Sequence, residues 1–163
     1  MSTTVSNMNT ITDPEEAGVE FLTDQIAVDG YMLKEIPKHL RSLDICMTAM
    51  CAPYGTAVIY VPQKILDKIA ENREYVKRVV SAEGHHLYYF PSYKNDYEIV
   101  KLAVSNTHSS CIRYASVELQ NNMTIVFAAV KHNPSAWNSI SDVALNAILR
   151  TRRTYNLQDR DYT

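Results

Sequence analysis

Glycine is scarce here, with four residues in a chain of 163. An all-β fold turns often and leans on glycine for positive-φ backbone, so the scarcity argues for helices. Cysteine is nearly as sparse, at three residues. That number cannot complete a disulfide framework, and a reduced, intracellular setting suits it better. Net charge is lacking too: sixteen Lys and Arg against eighteen Asp and Glu leave −2 at pH 7. Such a balance gives no bulk attraction to nucleic acid. No stretch reaches the roughly 18 apolar residues that a membrane span requires. Residues Met1 to Thr12 are polar and lack the basic-then-apolar order of a cleaved secretion signal. The expectation is a soluble chain with no membrane and no nucleic-acid partner.

What is present is a hydrophobic content of 46% with 21% charged residues, the balance of an ordinary globular protein. The apolar residues recur in a pattern repeated five times, about every 25 residues, which is the mark of a stacked helical array. Unit one reads Phe21-Leu22, Gln25-Ile26, Gly30, Leu33 and Ile36-Pro37. Unit two has Cys46-Met47, Met50-Cys51, Gly55, Val58 and Val61-Pro62. Unit three has Tyr75-Val76, Val79-Val80, Gly84, Leu87 and Phe90-Pro91. Unit four has Ile99-Val100, Ala103-Val104, Cys111 and Tyr114-Ala115, and unit five has Ile125-Val126, Ala129-Val130, Trp137 and Ile140-Ser141. Apolar pairs at i, i+1, i+4 and i+5 make one buried stripe per long helix. Since no unit can bury its own stripe, neighbours must stack.

The fold class expected is all-α: helix–turn–short-helix repeats forming a bundle or short solenoid. A single domain is expected over 13–153, with units starting near 15, 42, 72, 95 and 121, between a flexible tail (1–12) and a polar tail (154–163). Asp13 should cap the first helix, with Pro14 at its first position. Ser42, Asn72, Asn95 and Asn121 should cap the others. Gly30, Gly55 and Gly84 should end long helices with left-handed backbone. Apolar residues three apart then make a short helical segment, which Pro37, Pro62 and Pro91 end or restart. An extra helix is expected between Pro62 and Glu71, and a closing helix from Asp142 to Arg153. Trp137 shares the repeat position of Leu33, Val58, Leu87 and Cys111, and should lie in the core.

Residues that could carry chemistry have plainer readings. His85-His86 could chelate, but no third ligand stands at a convincing spacing. Cys46 and Cys51 fall on the stripe and Cys111 in a core slot; His108 is near Cys111, with no group to orient it. Arg150-Thr151-Arg152-Arg153 reads as a solvated helix end. No phosphate loop, serine elbow or paired carboxylates occur. The expectation is therefore no catalytic residue, no metal and no cofactor. A Cys/His enzyme is the competing reading and a nucleic-acid binder the third.

A candidate binding face follows from comparing units. The two positions between the short-segment core residues should point outward. They are Lys34 and Glu35 in unit one and Asn138 and Ser139 in unit five, polar as array ends should be. In the middle units they are Ile59 and Tyr60, Tyr88 and Tyr89, and Ile112 and Arg113. Tyr, Ile and Arg clustered centrally fit an interaction hot spot, for a protein partner or for a second copy in a homodimer.

Asn95-Asp96-Tyr97-Glu98-Ile99-Val100-Lys101-Leu102-Ala103-Val104, Tyr114-Ala115-Ser116, Leu119, and Asn122 with Ile125-Val126-Phe127-Ala128-Ala129-Val130 resemble a bacterial helical repeat. That repeat is a domain of unknown function often present in several copies, with a consensus near ND-x-E-[IV]-V-x-x-A-V. The resemblance covers residues 72–146 and is degenerate over 15–71. It implies an all-helical binding module with no catalytic residues to transfer. It also implies a bacterial origin, some such proteins being effectors delivered into host cells. The expected location is the bacterial cytoplasm or the host cytosol after delivery, and the partner another effector enzyme or a host protein.

Overall fold

Polar side chains decide where the long helices begin. In the computed structural model, which describes residues 14–53, 56–105, 111–140, 144–145 and 149, the first two described caps are the expected ones. Ser42 Oγ accepts from the Ile45 N–H at 3.3 Å, and Asn72 Oδ1 accepts from Glu74 and Tyr75 at 3.0 and 3.4 Å. The next two caps lie one residue later than expected. Asp96 Oδ1 accepts from Ile99 at 3.1 Å, and Asn122 Oδ1 accepts from Thr124 and Ile125 at 3.0 and 3.3 Å. The displaced asparagines have other tasks: Asn95 Oδ1 accepts from the Ser116 hydroxyl at 2.7 Å, and Asn121 Nδ2 donates to Val117 O at 2.8 Å. Adjacent Asx residues offer two possible starts, and the other hydrogen bonds each one makes select between them.

Helices and 3₁₀ segments (η) alternate, with no strand among the described residues. Contacts divide the chain into two compact units, Met1–Pro62 and Gln63–Thr163, where the sequence reading has one domain over 13–153. The first holds α1 (Pro14–Val28), η1 (Gly30–Glu35), η2 (Lys38–Leu40), α2 (Leu43–Cys51) and η3 (Thr56–Tyr60). The second holds α3 (Gln63–Glu71), α4 (Arg73–Ala82), η4 (Gly84–Tyr89), η5 (Pro91–Tyr93), α5 (Tyr97–Ser105), η6 (Cys111–Tyr114), α6 (Val117–Gln120), α7 (Met123–His132) and η7 (Pro134–Ser139). The division falls where Pro62 has no N–H to continue η3. The anticipated extra helix, α3, packs on α4.

Each unit has two rows. In the second, α4, α5 and α7 lie side by side, while η4, η6 and η7 form the other row. Each short segment rests on the long helix before it, and η4 and η6 rest also on the one after. In the first unit α1 pairs with α2 and η1 with η3. The core fills the space between rows: Ile26, Leu33, Ile36, Cys46 and Met50 in the first unit, and Val76, Val79, Leu87, Phe90, Ile99, Val100, Ile112 and Ile125 in the second. Phe21, expected on the buried stripe of α1, is exposed; α1 has only α2 and η1 as main described neighbours, and Ile26 carries the contact instead.

The joint between rows is the same polar device three times. The N–H of Asp29, Glu83 and Asn133 closes the preceding helix onto Gln25, Val79 and Ala129 at 2.9, 3.1 and 2.8 Å. Their side chains then accept from the N–H two residues on, capping η1, η4 and η7. Glycine follows this joint at Gly30 and Gly84, but not for left-handed backbone, since neither has a positive φ. Close approach is the reason. A Cβ on Gly30 would meet Ala49 O at 2.2 Å, and one on Gly84 would meet Ala103 O at 2.3 Å and Cys111 Sγ at 2.7 Å. The short segment thus touches the backbone of the next helix. Asp13, Gly55, His108, both tails and the side chain of Trp137 lie outside the described residues; of the expected Asp142–Arg153 helix only Ala144, Leu145 and Leu149 are described, and all three are helical.

Candidate interaction surface

The register of the short segments is set by a recurring 3₁₀ hydrogen bond. The N–H of Ile36, Val61, Phe90 and Ala115 donates to the carbonyl of Leu33, Val58, Leu87 and Ile112, at 3.2, 3.2, 3.2 and 3.1 Å. Ile112 therefore stands at the Leu87 position, and its side chain is 0% exposed. This corrects the candidate set: the outward pair of η6 is Arg113 and Tyr114, not Ile112 and Arg113. The slip arose because Tyr114 was counted as core, whereas the small Ala115 takes that slot beneath it. The same correction moves Cys111 off the Leu87 position. It aligns with His86 and Ala136, and all three are buried.

In the second unit the outward residues form an aromatic group. Tyr88 is 59% exposed and Tyr89 36%, their rings edge-to-face at 5.1 Å. Tyr88 also meets Tyr114 at 5.5 Å, and the exposed Arg113 lays its guanidinium carbon 5.0 Å from the Tyr114 ring centre. His85 joins from the other side, 6.1 Å from Tyr114, with Nδ1 3.2 Å from Glu83 Oε1. Such geometry suits ring quadrupoles and holds the side chains in place. In the first unit Ile59 is 63% exposed, and the half-buried Tyr60 meets Tyr31 edge-on at 5.3 Å. Hydrogen bonding with Tyr31 raises the Tyr60 pKa, and Lys34 Nζ sits 4.3 Å over the Tyr31 ring.

Arg41 was missed from sequence. It is 9% exposed and closes the carboxyl ends of two short segments, donating to Ile36 O at 2.9 Å, Tyr60 O at 2.6 Å and Lys34 O at 3.2 Å. Gln120 repeats this in the second unit, reaching Ala115 O and Arg113 O at 2.9 and 3.3 Å, at the same five- and seven-residue offsets. The available signal was a lone Arg five residues past a pre-proline core residue. Arg73 was also missed. It forks onto Asp96 at 2.8 and 3.0 Å and reaches Glu98 at 2.7 Å, tying the start of α4 to that of α5. This pairing lowers the pKa of Asp96 and of Glu98 and raises that of Arg73.

His86 is buried with Nδ1 3.0 Å from Val79 O, while half-exposed His85 turns to Glu83 and Tyr114. Among the described residues no three His, Cys, Asp or Glu side chains gather as metal ligands. Burial pushes the Cys46 thiol up to about 11, the Arg41 charge offsetting only part of that rise, and the thiol stays protonated at neutral pH. No described helix is long and apolar enough to cross a membrane.

Residues 72–120, and overlapping them 106–143, match the family model of a domain of unknown function, DUF4116. Both matches fall in the second unit; the first runs from α4 to α6 and the second across α7 to η7. No curated protein and no solved structure matches the chain.

Proposed function

We propose that this protein is a non-enzymatic module that binds another protein through the outward edge of its 3₁₀ segments. In this reading Tyr88, Tyr89, Arg113 and Tyr114 form the contact of the second unit, and Ile59 with Tyr60 that of the first. The observation that carries the reading is the exposed tyrosine group braced edge-to-face, with Arg113 stacked on Tyr114. Tyr and Arg dominate interface hot spots, and rings already held in place lose little freedom on binding. The chain acts as a bacterial effector or regulator, and its partner is another effector enzyme or a host protein that it inhibits or scaffolds. The resemblance to a bacterial repeat supports this placement.

Affinity capture with mass spectrometry, from bacterial and host lysates, tests the proposal. Wild type should retain a partner that Tyr88→Asp/Arg113→Glu loses, while His132→Ala/Cys51→Ala retains it. A Cys/His enzyme would give the reverse pattern in an activity screen. Sedimentation of the purified chain identifies the case in which the retained partner is a second copy.

A further inference from the structure

The first unit carries a basic concavity beside Ile59 and Tyr60. It has a volume of about 600 Å³, within the usual range for ligand sites. Lys34, Lys38 and Arg41 bring three positive charges to its lining, and no carboxylate stands among its described lining residues. Ile59 and Pro62 supply an aliphatic wall, with Tyr60 between. Arg41 is the fixed member: nine-tenths buried and locked by three carbonyls. A guanidinium has five N–H donors, so two remain beyond those three bonds. Lys34 also meets Glu35 at 3.4 Å in an exposed pair. Such pairs exchange readily.

We infer that this concavity binds an acidic–apolar segment of a protein partner, its carboxylate seated among Lys34, Lys38 and Arg41 and its aliphatic neighbour on Ile59 and Pro62. The inference rests on the protein-binding reading above and names the chemistry of the partner at the first unit. Planar carboxylate matches the guanidinium fork. Nucleic acid fits less well. The wall is aliphatic, Tyr60 is the lone aromatic among the described lining residues, and the chain's net charge of −2 gives no bulk attraction to phosphate.

Arg41 cannot be the test residue, because it holds the fold; Lys34 and Lys38 can. The full chain is panned against a random peptide library, and recovered peptides are synthesised and titrated. Recovered sequences should place Asp, Glu or a terminal carboxylate beside Ile, Leu, Val or Phe. Lys34→Glu/Lys38→Glu should weaken them about tenfold or more while the melting temperature holds, as should salt near 1 M, where the screening length falls to about 3 Å. Lys34→Arg/Lys38→Arg should keep the affinity, and Ile59→Asp should lose it. Recovered peptides without acidic groups, or indifferent to the lysine reversal, overturn the inference. Peptides lost only with Tyr88→Asp/Arg113→Glu overturn it while sustaining the proposed function. Failure to recover any peptide, or tighter binding of a single-stranded oligonucleotide at the same lysines, overturns it too.

Discussion

Among single residues, the glycines give the sharpest expectation. A methyl on Gly84 would enter the backbone of α5 and the sulfur of Cys111. Gly84→Ala should therefore cost about 3 kcal/mol, the upper part of the overpacking range. Gly18 lies within α1 and has nothing within 4 Å of the same added atom, so Gly18→Ala should stabilise by about 0.5–1 kcal/mol. Urea midpoints at constant slope would measure both; equal effects would refute the close-approach account. Arg41→Met should lower stability by about 3 kcal/mol, because charge-assisted bonds to buried carbonyls are lost. Gln120→Met, losing neutral bonds, should cost about 1 kcal/mol. At this scale the sequence shows that Leu33, Val58 and Leu87 are core, since apolar spacing encodes burial. It did not separate Ile112 from Tyr114, because both are large and apolar-bodied, and only the 3₁₀ hydrogen bond sets which faces inward. Arg41 is hard to read for another reason: its partners are main-chain carbonyls, so no partner side chain marks it and only its offset from Ile36 does.

Between elements, the long helices were legible from their caps and stripes, while the offsets at Asp96 and Asn122 were not. Each lies in an Asx pair where two residues can cap equally well, and the choice depends on Ser116 and Val117. The short segments were expected as a turn or two of helix. Their 3₁₀ form follows from three-residue spacing of core side chains, which the tighter coil places one above another. The link between α4 and α5 is electrostatic as well as apolar. Because pairing with Arg73 depresses the Asp96 pKa, its stabilisation is complete above the ordinary carboxylate value of about 4 and is lost as pH falls from there through the lowered one. Asp96→Asn keeps a capping oxygen but not the charge. Between about pH 5 and pH 2 the wild type should lose more stability than this variant, and parallel curves from chemical denaturation would contradict the assignment.

For the whole molecule, recurrence was the strongest signal. An all-α chain of stacked units was predictable because each stripe lacks a partner of its own. Where the contacts part into two units was less so, since Pro62 follows the same pattern as Pro37 and Pro91 and differs only in the helix after it. The joint built at Asp29 in the first unit, and at Glu83 and Asn133 in the second, gives each unit its two rows. On the proposed reading the outward 3₁₀ residues, and not a reaction centre, are the working part. Calorimetric titration of the captured partner against wild type and Tyr88→Asp/Arg113→Glu tests it most directly. Loss of two hot-spot residues should weaken binding by about 100-fold or more, with unchanged helical circular dichroism and melting temperature. Undiminished affinity in a folded double variant would contradict the account.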